Sequence, residues 1–220
     1  MERKNVAAKY HRQIVLCFVC MLLLTACGKT QGKQVEFDEL QVVRVECGDQ
    51  SGSGVVYAAS GKDVVVITAA HVLDEDEKSE KATVVWRTEK DENDTSPETI
   101  SKVKGLDLAF LKIADVTVWQ VSVDELDKTN ENQVILQGYD AAGELHETTG
   151  IVSHSWIYVE DFGCHMMVVK AETVPGMSGG GAFYANGELA GIICGKDEAG
   201  NVAILPTSVI SAEYDVIFGK

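Results

Sequence analysis

The chain has 220 residues with 34 acidic and 19 basic side chains, which gives a formal net charge of −15. A surplus of this size argues against nucleic acid and anionic lipid as partners, because both are themselves negatively charged. The length suits one compact domain or two small barrels, and we expect no additional module.

The N-terminus has the pattern of a targeting segment. A head with four basic residues precedes an uninterrupted apolar run from Ile14 to Leu24, which is too short to span a bilayer comfortably. The four residues Leu-Thr-Ala-Cys that end at Cys27 resemble the lipobox of bacterial lipoproteins. We therefore predict a signal peptide at 1–26, a lipid on Cys27, a tether at 27–34 and attachment to the outer face of the cell membrane. An ordinary signal peptide with an incidental cysteine is the alternative.

Removal of the predicted signal peptide makes the chain more acidic. That segment carries one acidic and four basic residues, so the remainder has 33 acidic and 15 basic side chains and a net charge of −18. Besides Cys27, the remainder keeps Cys47, Cys164 and Cys194, which can form at most one internal disulfide. Their spacing suggests no metal site, and we favour small buried core residues.

The predicted elements are short strands followed by one helix. Brief apolar or alternating runs are separated by glycine, asparagine and charged clusters. Examples of these strands are Leu40–Val45, Gly54–Ala58, Asp63–Thr68, Thr83–Trp86, Leu106–Ile113, Gln133–Gln137, Met166–Lys170 and Leu189–Cys194. The helix is predicted at Thr207–Phe218, with Thr207 or Ser208 as N-cap. The acidic segment Asp74–Glu98 is interpreted as one short strand between solvated loops. This pattern indicates an all-β protein, either a sandwich or barrels.

His71 ends the first segment that carries chemistry. An apolar run from Val64 leads through Thr68 and two alanines to this histidine. Packing of the strand can fix the backbone there while the ring reaches a cleft. A lone histidine after a strand is more often structural, so this segment does not by itself indicate catalysis.

A glycine-rich turn surrounds Ser178. The residues from Pro175 to Gly181 read Pro-Gly-Met-Ser-Gly-Gly-Gly, and glycine permits positive φ angles and close approach of a substrate. Such a turn can aim the N–H groups of Gly176 and Ser178 at one point, as an oxyanion hole requires. A glycine-rich hairpin without chemistry is the alternative.

The third segment contributes a carboxylate, Asp107, within the apolar run that follows Gly105. Burial of a carboxylate costs free energy unless the group meets a donor or a cation. A histidine N–H would be such a donor. The alternative is an aspartate that caps a turn after Gly105.

The order of these three residues, His then Asp then Ser, is that of chymotrypsin, whereas the α/β-hydrolase order is Ser, Asp, His. The segments around His71, Asp107 and Ser178 resemble the signature segments of the trypsin-like serine protease superfamily. Two further stretches, Ser51–Val56 and Val202–Pro206, are most similar to the HtrA (Deg) branch. The resemblance covers about the whole chain that follows the predicted signal.

The resemblance implies an all-β fold of two six-stranded antiparallel β-barrels of chymotrypsin type with a C-terminal helix. The implied ranges are 35–220 for the protease domain, about 35–122 and 130–206 for the barrels, and about 207–218 for the helix.

The implied activity is that of a serine endopeptidase. His71 would act as general base, Asp107 would orient its ring, and Ser178 would be the nucleophile. The N–H groups of Gly176 and Ser178 would hold the oxyanion. The substrate would be a polypeptide, and neither a cofactor nor a metal is expected.

Met177 departs from both branches of the superfamily. Trypsin-like zymogens usually carry an aspartate there, which pairs with a newly exposed N-terminus, and HtrA proteases commonly carry an asparagine. We therefore expect no activation cleavage. The chain also has no recognisable PDZ domain, so peptide-tail sensing and cage assembly are not implied.

The resemblance also locates a primary substrate pocket. Its walls would be Glu172, Thr173 and Val174 on one side and Cys194, Gly195 and Lys196 on the other. An inward Glu172 would favour basic side chains, but a shift of one residue reverses the direction of a strand residue. Glutamyl-specific relatives carry a histidine in place of Ile193, so that preference is not expected. The preferred residue and the oligomeric state are left open.

A second function class is a catalytically inactive, protease-like binding module. A pure binder has no need of an intact triad, which counts against this interpretation. The other histidines, His146, His154 and His165, lack comparable context and are interpreted as surface or core residues.

Overall fold

The protein folds into two β-sheet halves that share part of an apolar core. The computed structural model describes residues 42–60, 62–73, 82–87, 92–114 and 132–219. The predicted signal peptide, the tether and Cys27 lie outside these residues. The all-β class, the chymotrypsin type and the C-terminal helix are confirmed. The prediction of six strands in each barrel is correct for the second half only, because the first half is a curled sheet of seven strands. Within the described residues, no helix is both long and apolar enough to span a bilayer.

The first half is a curled sheet of seven strands in the order β5-β4-β1-β2-β3-β7-β6. Every neighbouring pair is antiparallel. β3 lies between β2 and β7, and its residues from Val64 to Thr68 are buried. The strands are β1 Val42–Cys47, β2 Gln50–Ser60, β3 Asp63–Thr68, β4 Ala82–Arg87, β5 Glu92–Thr95, β6 Thr99–Lys102 and β7 Ala109–Ile113.

The second half is a closed barrel of six strands in the order β10-β13-β12-β11-β8-β9. Closure removes the exposed sheet edges that would otherwise invite pairing with other chains. The strands are β8 Gln133–Tyr139, β9 Leu145–Val159, β10 Cys164–Lys170, β11 Gly181–Phe183, β12 Leu189–Lys196 and β13 Asn201–Pro206.

The core consists of three apolar clusters, one of which joins the two halves. One fills the first sheet, one fills the closed barrel, and a third contains side chains of both halves, including Val55, Phe110, Met166 and Leu205. Full burial of a side chain of this size contributes about 1.5–3 kcal/mol. The shared cluster therefore fixes the two halves relative to each other, which a site built from both requires.

The helix α1, Thr207–Phe218, packs on the shared cluster. Its Tyr214 and Phe218 rings lie 6.0 and 5.7 Å from the ring of Phe110. The predicted N-cap is wrong, because Pro206 occupies that position and the Thr207 hydroxyl donates to the Leu189 carbonyl at 2.6 Å. This bond ties the start of the helix to β12.

Periodicity failed at three places in the chain. The strand predicted from Leu106 begins only at Ala109. The acidic segment contains a further strand, β5, which pairs with β4. The longest strand, β9, is mostly exposed and so carries no apolar alternation. The turn at Gly105 delays the start of β7, whereas β5 and β9 form through pairing with neighbouring strands rather than through burial.

Candidate active site

His71 lies just beyond the end of the buried strand β3. A short 3₁₀ turn, Ala70–Val72, follows that strand, and Val72 is buried beneath it. The backbone N–H of His71 donates to Asp107 Oδ1 at 2.9 Å, while 49% of the side chain is exposed. The backbone is therefore fixed and the ring is open to solvent.

Asp107 lies in a turn, which corrects the prediction that it belongs to a strand. The turn bends at Gly105, with φ +82°, and is closed by a bond of 2.9 Å from Val103 N–H to the Leu108 carbonyl. The side chain is only 15% exposed, and its Oδ2 lies 2.8 Å from His71 Nδ1. Two bonds from His71 thus offset the free-energy cost of burying the carboxylate.

The contact with Asp107 changes the titration of His71. The hydrogen bond to the carboxylate raises the pKa of His71, burial of the ring opposes the rise, and the negative charge of Asp107 adds to it. Since Oδ2 can only accept, Nδ1 carries the proton in this pair. The other nitrogen, Nε2, is then an acceptor whenever the ring is neutral.

Ser178 lies in the loop 171–180 between β10 and β11. Around it, Met177 N–H donates to the Val174 carbonyl, Gly180 N–H to the Met177 carbonyl, and Gly179 N–H to the Ile193 carbonyl. Met177 is 1% exposed. Within the described residues, the N–H groups of Gly176 and Ser178 have no protein acceptor. Two adjacent donors therefore stay available to a ligand.

The Ser178 loop rests directly on the first sheet. Ser53 N–H donates to the Ser178 carbonyl at 2.7 Å, and Gly179 lies against Thr68 and Ala69, which lead to His71. The Ser178 hydroxyl makes no hydrogen bond with any described residue, His71 included. Catalytic hydrogen bonds are often long or poorly aligned before substrate binds.

Gly179 should tolerate no side chain. A β-carbon there would collide with the Ser53 carbonyl and the Thr68 hydroxyl at a φ of +84°, so we expect Gly179→Ala to lower the free energy of unfolding by about 3 kcal/mol or more. Gly105 is a matched control, with φ +82° but no atom within 4 Å of the place that a β-carbon would take. Gly105→Ala should cost only about 1 kcal/mol. Equal losses in urea unfolding would contradict this close contact.

The comparison with protein families decides what kind of domain this is. The model described as a trypsin-like peptidase domain matches residues 52–192, which include His71, Asp107 and Ser178. The chain belongs to this family. This agrees with the family resemblance that the order His, Asp, Ser indicated in the sequence.

Curated relatives of this peptidase domain are HtrA-like serine proteases. Those of Staphylococcus aureus (strain bovine RF122 / ET3-1) and Staphylococcus epidermidis (strain ATCC 12228 / FDA PCI 1200) are each 27% identical, over 168 and 171 residues. These matches cover 70% and 71% of the chain. They cover only 21% and 28% of the relatives, so the chain spans about a quarter of their length.

Solved structures share the fold of the peptidase domain. The active form of the Rv3671c protease from M. tuberculosis aligns with a TM-score of 0.61 and 20% identity, over 83% of this chain and 82% of that one. The serine endoprotease from Yersinia pestis aligns with a TM-score of 0.57 and 21% identity, over 83% and 65%. At these identities the likeness is one of fold.

The predicted pocket walls lie next to each other. Lys196 Nζ donates to the Thr173 carbonyl at 2.7 Å and so joins the two walls. Glu172 and Val174 are exposed to solvent in part, whereas Cys194 is buried. Gly195 and Lys196 border a cavity of about 630 Å³, together with the turn after β9.

The side chain of Cys194 is buried next to the backbone of Asp107. Its Sγ is 3.8 Å from the Asp107 carbonyl oxygen, and burial raises the pKa of the thiol well above its usual value. Cys47, Cys164 and Cys194 form no disulfide with one another. No group of three or more histidine, cysteine or acidic residues in the described ranges could hold a metal ion.

The other histidines take surface positions. His146 Nε2 lies 2.8 Å from Asp140 Oδ2, and the His165 ring stacks on Trp156 at 5.1 Å. Sequence reasoning missed Ser53, which connects the two halves of the site. The Gly-Ser-Gly stretch at 52–54 marked the family resemblance but gave no sign of this role.

Proposed function

We propose that this peptidase domain is a serine endopeptidase with His71, Asp107 and Ser178 as its catalytic triad. The observation that carries the proposal is that the N–H groups of Gly176 and Ser178 have no acceptor among the described residues, in a loop that rests on the segment leading to His71. Two N–H donors beside a serine can stabilise a tetrahedral oxyanion when both aim at one point.

In the proposed reaction, His71, Asp107 and Ser178 take the roles of a serine protease triad. His71 Nε2 takes the proton from Ser178 Oγ as that oxygen attacks the carbonyl carbon of the scissile peptide bond. The electron pair of the carbonyl moves onto its oxygen, which the two N–H groups hold. When the intermediate collapses, the C–N bond breaks and His71 gives its proton to the leaving amine. Water then repeats the sequence on the acyl-enzyme and releases the acid.

A polypeptide substrate suits the free edge of β12. This strand pairs with β11 only as far as Ile192, whereas its pairing with β13 continues to Lys196. On the side of β11, the edge from Cys194 to Lys196 therefore pairs with no strand among the described residues. An extended peptide can bind such an edge through main-chain hydrogen bonds.

Labelling with a fluorophosphonate tests the proposal without knowledge of the substrate. The folded protein should react once per chain, and mass spectrometry should place the adduct on Ser178. Urea-unfolded protein should not react, because the activation of Ser178 needs the assembled site. Folded protein that does not react would instead support the binding module.

The membrane attachment is a separate proposal. We propose that Cys27 carries a lipid that tethers the domain outside the cell membrane, on the strength of the apolar run and the lipobox-like residues before it. Cys27→Ala should lose metabolic labelling with a fatty-acid analogue and release the protein from membranes. The matched variant Cys20→Ala, within the apolar run, should keep both. Unchanged membrane retention in Cys27→Ala would refute the lipid anchor.

A further inference from the structure

Ser53 is a buried polar residue at the junction of the two barrels. Its exposure is 0%, and in the described ranges only Ser53 and Thr68 are buried polar residues. Burial of a hydroxyl is costly unless it is hydrogen-bonded. The bonds of Ser53 therefore reveal what the residue holds in place.

Ser53 binds the Ser178 loop with both its side chain and its backbone. Its hydroxyl donates to the Gly176 carbonyl at 2.9 Å and accepts from Tyr139 N–H at 2.7 Å. Its own N–H donates to the Ser178 carbonyl at 2.7 Å. The Tyr139 carbonyl, at 3.5 Å, is the more distant acceptor, and one hydroxyl supplies one proton. The Ser53 carbonyl accepts from Thr68 Oγ1 at 2.6 Å.

These bonds act on both residues that present free N–H groups. Gly176 has φ +102°, and glycine rotates about its backbone more easily than any other residue. The bond to the Gly176 carbonyl anchors the peptide plane that Gly176 shares with Met177. The Gly176 N–H belongs to the preceding plane, shared with Pro175, so it can turn away only if that plane rotates against an anchored neighbour. Ser178 is held through its carbonyl by the Ser53 N–H and through the Met177 carbonyl by Gly180.

We propose that Ser53 is the positioning residue that keeps the Gly176 and Ser178 N–H groups aimed at the oxyanion. The residue before the nucleophile, Met177, is buried against Gly138 and has no charge with which to pair. In trypsin-like zymogens an aspartate at the position of Met177 forms an ion pair with a new N-terminus. Here the Ser53 hydroxyl takes over the restraint on the loop, and it is in place as soon as the barrels fold. This inference rests on the proposed endopeptidase activity.

Ser53→Ala tests the restraint through kinetics. Losing the bond should lower kcat about 10- to 100-fold with KM within about threefold, because the donors act on the transition state more than on the substrate. Thr207→Val is the matched control, since it also removes one short bond from a hydroxyl to a carbonyl, far from the cleft. That control should keep kcat. Unchanged kcat in Ser53→Ala, or an equal loss in Thr207→Val, would overturn the role.

Amide hydrogen exchange of residues 173–180 supplies a readout that does not need activity. Exchange there should be at least about tenfold faster in Ser53→Ala than in the wild type, and unchanged in Thr207→Val. Unchanged exchange in Ser53→Ala would overturn the proposal whatever the kinetics. If the wild type neither reacts nor cleaves, the endopeptidase proposal fails, while the exchange still decides whether Ser53 holds the loop. If Ser53→Ala does not fold, Ser53→Cys keeps a weak donor and should show intermediate losses.

Discussion

Ser178→Ala should lower kcat about 10⁵- to 10⁶-fold and leave the fold unchanged. The substitution removes the nucleophile, so the acyl-enzyme cannot form, while the N–H groups at 176 and 178 still support a small residual rate. The Ser178 hydroxyl makes no hydrogen bond with a described residue, so its loss leaves no partner unsatisfied. Peptide hydrolysis with a fluorogenic substrate and thermal unfolding would measure the two effects.

The matched control for this substitution is Ser208→Ala, which removes an exposed hydroxyl from α1 and should leave kcat unchanged. Because the triad works as a unit, adding His71→Ala to Ser178→Ala should cost little more. Turnover by Ser178→Ala within about 100-fold of wild type would exclude Ser178 as the nucleophile.

Asp107→Asn should lower kcat about 10⁴-fold at neutral pH. An asparagine oxygen can still accept from the His71 backbone N–H, but its NH₂ group would then face Nδ1 and donate to it. Nε2 would carry the ring proton and could no longer accept one from Ser178. The loss therefore comes from the wrong tautomer, with little change in backbone geometry.

The same substitution should move the pH dependence of kcat/KM. In the wild type, His71 must be neutral to accept a proton, and its pKa lies above the ordinary value of 6.5 because Asp107 bonds to it. Activity should therefore be lost as pH falls through this raised pKa. In Asp107→Asn the remaining activity should persist to lower pH, since the carboxylate no longer favours the charged ring.

Asp63→Asn is the control for the change from aspartate to asparagine, because Asp63 pairs with Lys112 at 2.9 Å on the surface. Its rate and pH profile should match those of the wild type. A rate for Asp107→Asn within about tenfold of wild type, or an unmoved acid limb, would remove Asp107 from the triad.

A sequence predicts those strands whose apolar residues mark them as buried. The run from Val64 to Ile67 is apolar on both faces, and it lies in the buried strand β3. In contrast, β9 is exposed along most of its length and exists because β8 and β10 pair with it. No local signal announces such a strand, since its stability comes from partners distant in the chain.

The same division applies to the candidate site. The order of His71, Asp107 and Ser178, and the glycines around Ser178, are properties of the sequence and led directly to the family. Where Asp107 lies could not be read from its apolar neighbours, because the turn at Gly105 competes with the strand that follows.

The sequence by itself determined the residue types of the site, their order, the all-β class and the family. Only the tertiary structure decided that Asp107 meets His71 at 2.8 Å and that the N–H groups of Gly176 and Ser178 donate to no acceptor in the described part of the chain. It alone identified Ser53 as the link between the barrels. The physical reason is that hydrogen bonds between residues 36 to 123 positions apart depend on how two barrels pack, and no local pattern encodes that packing.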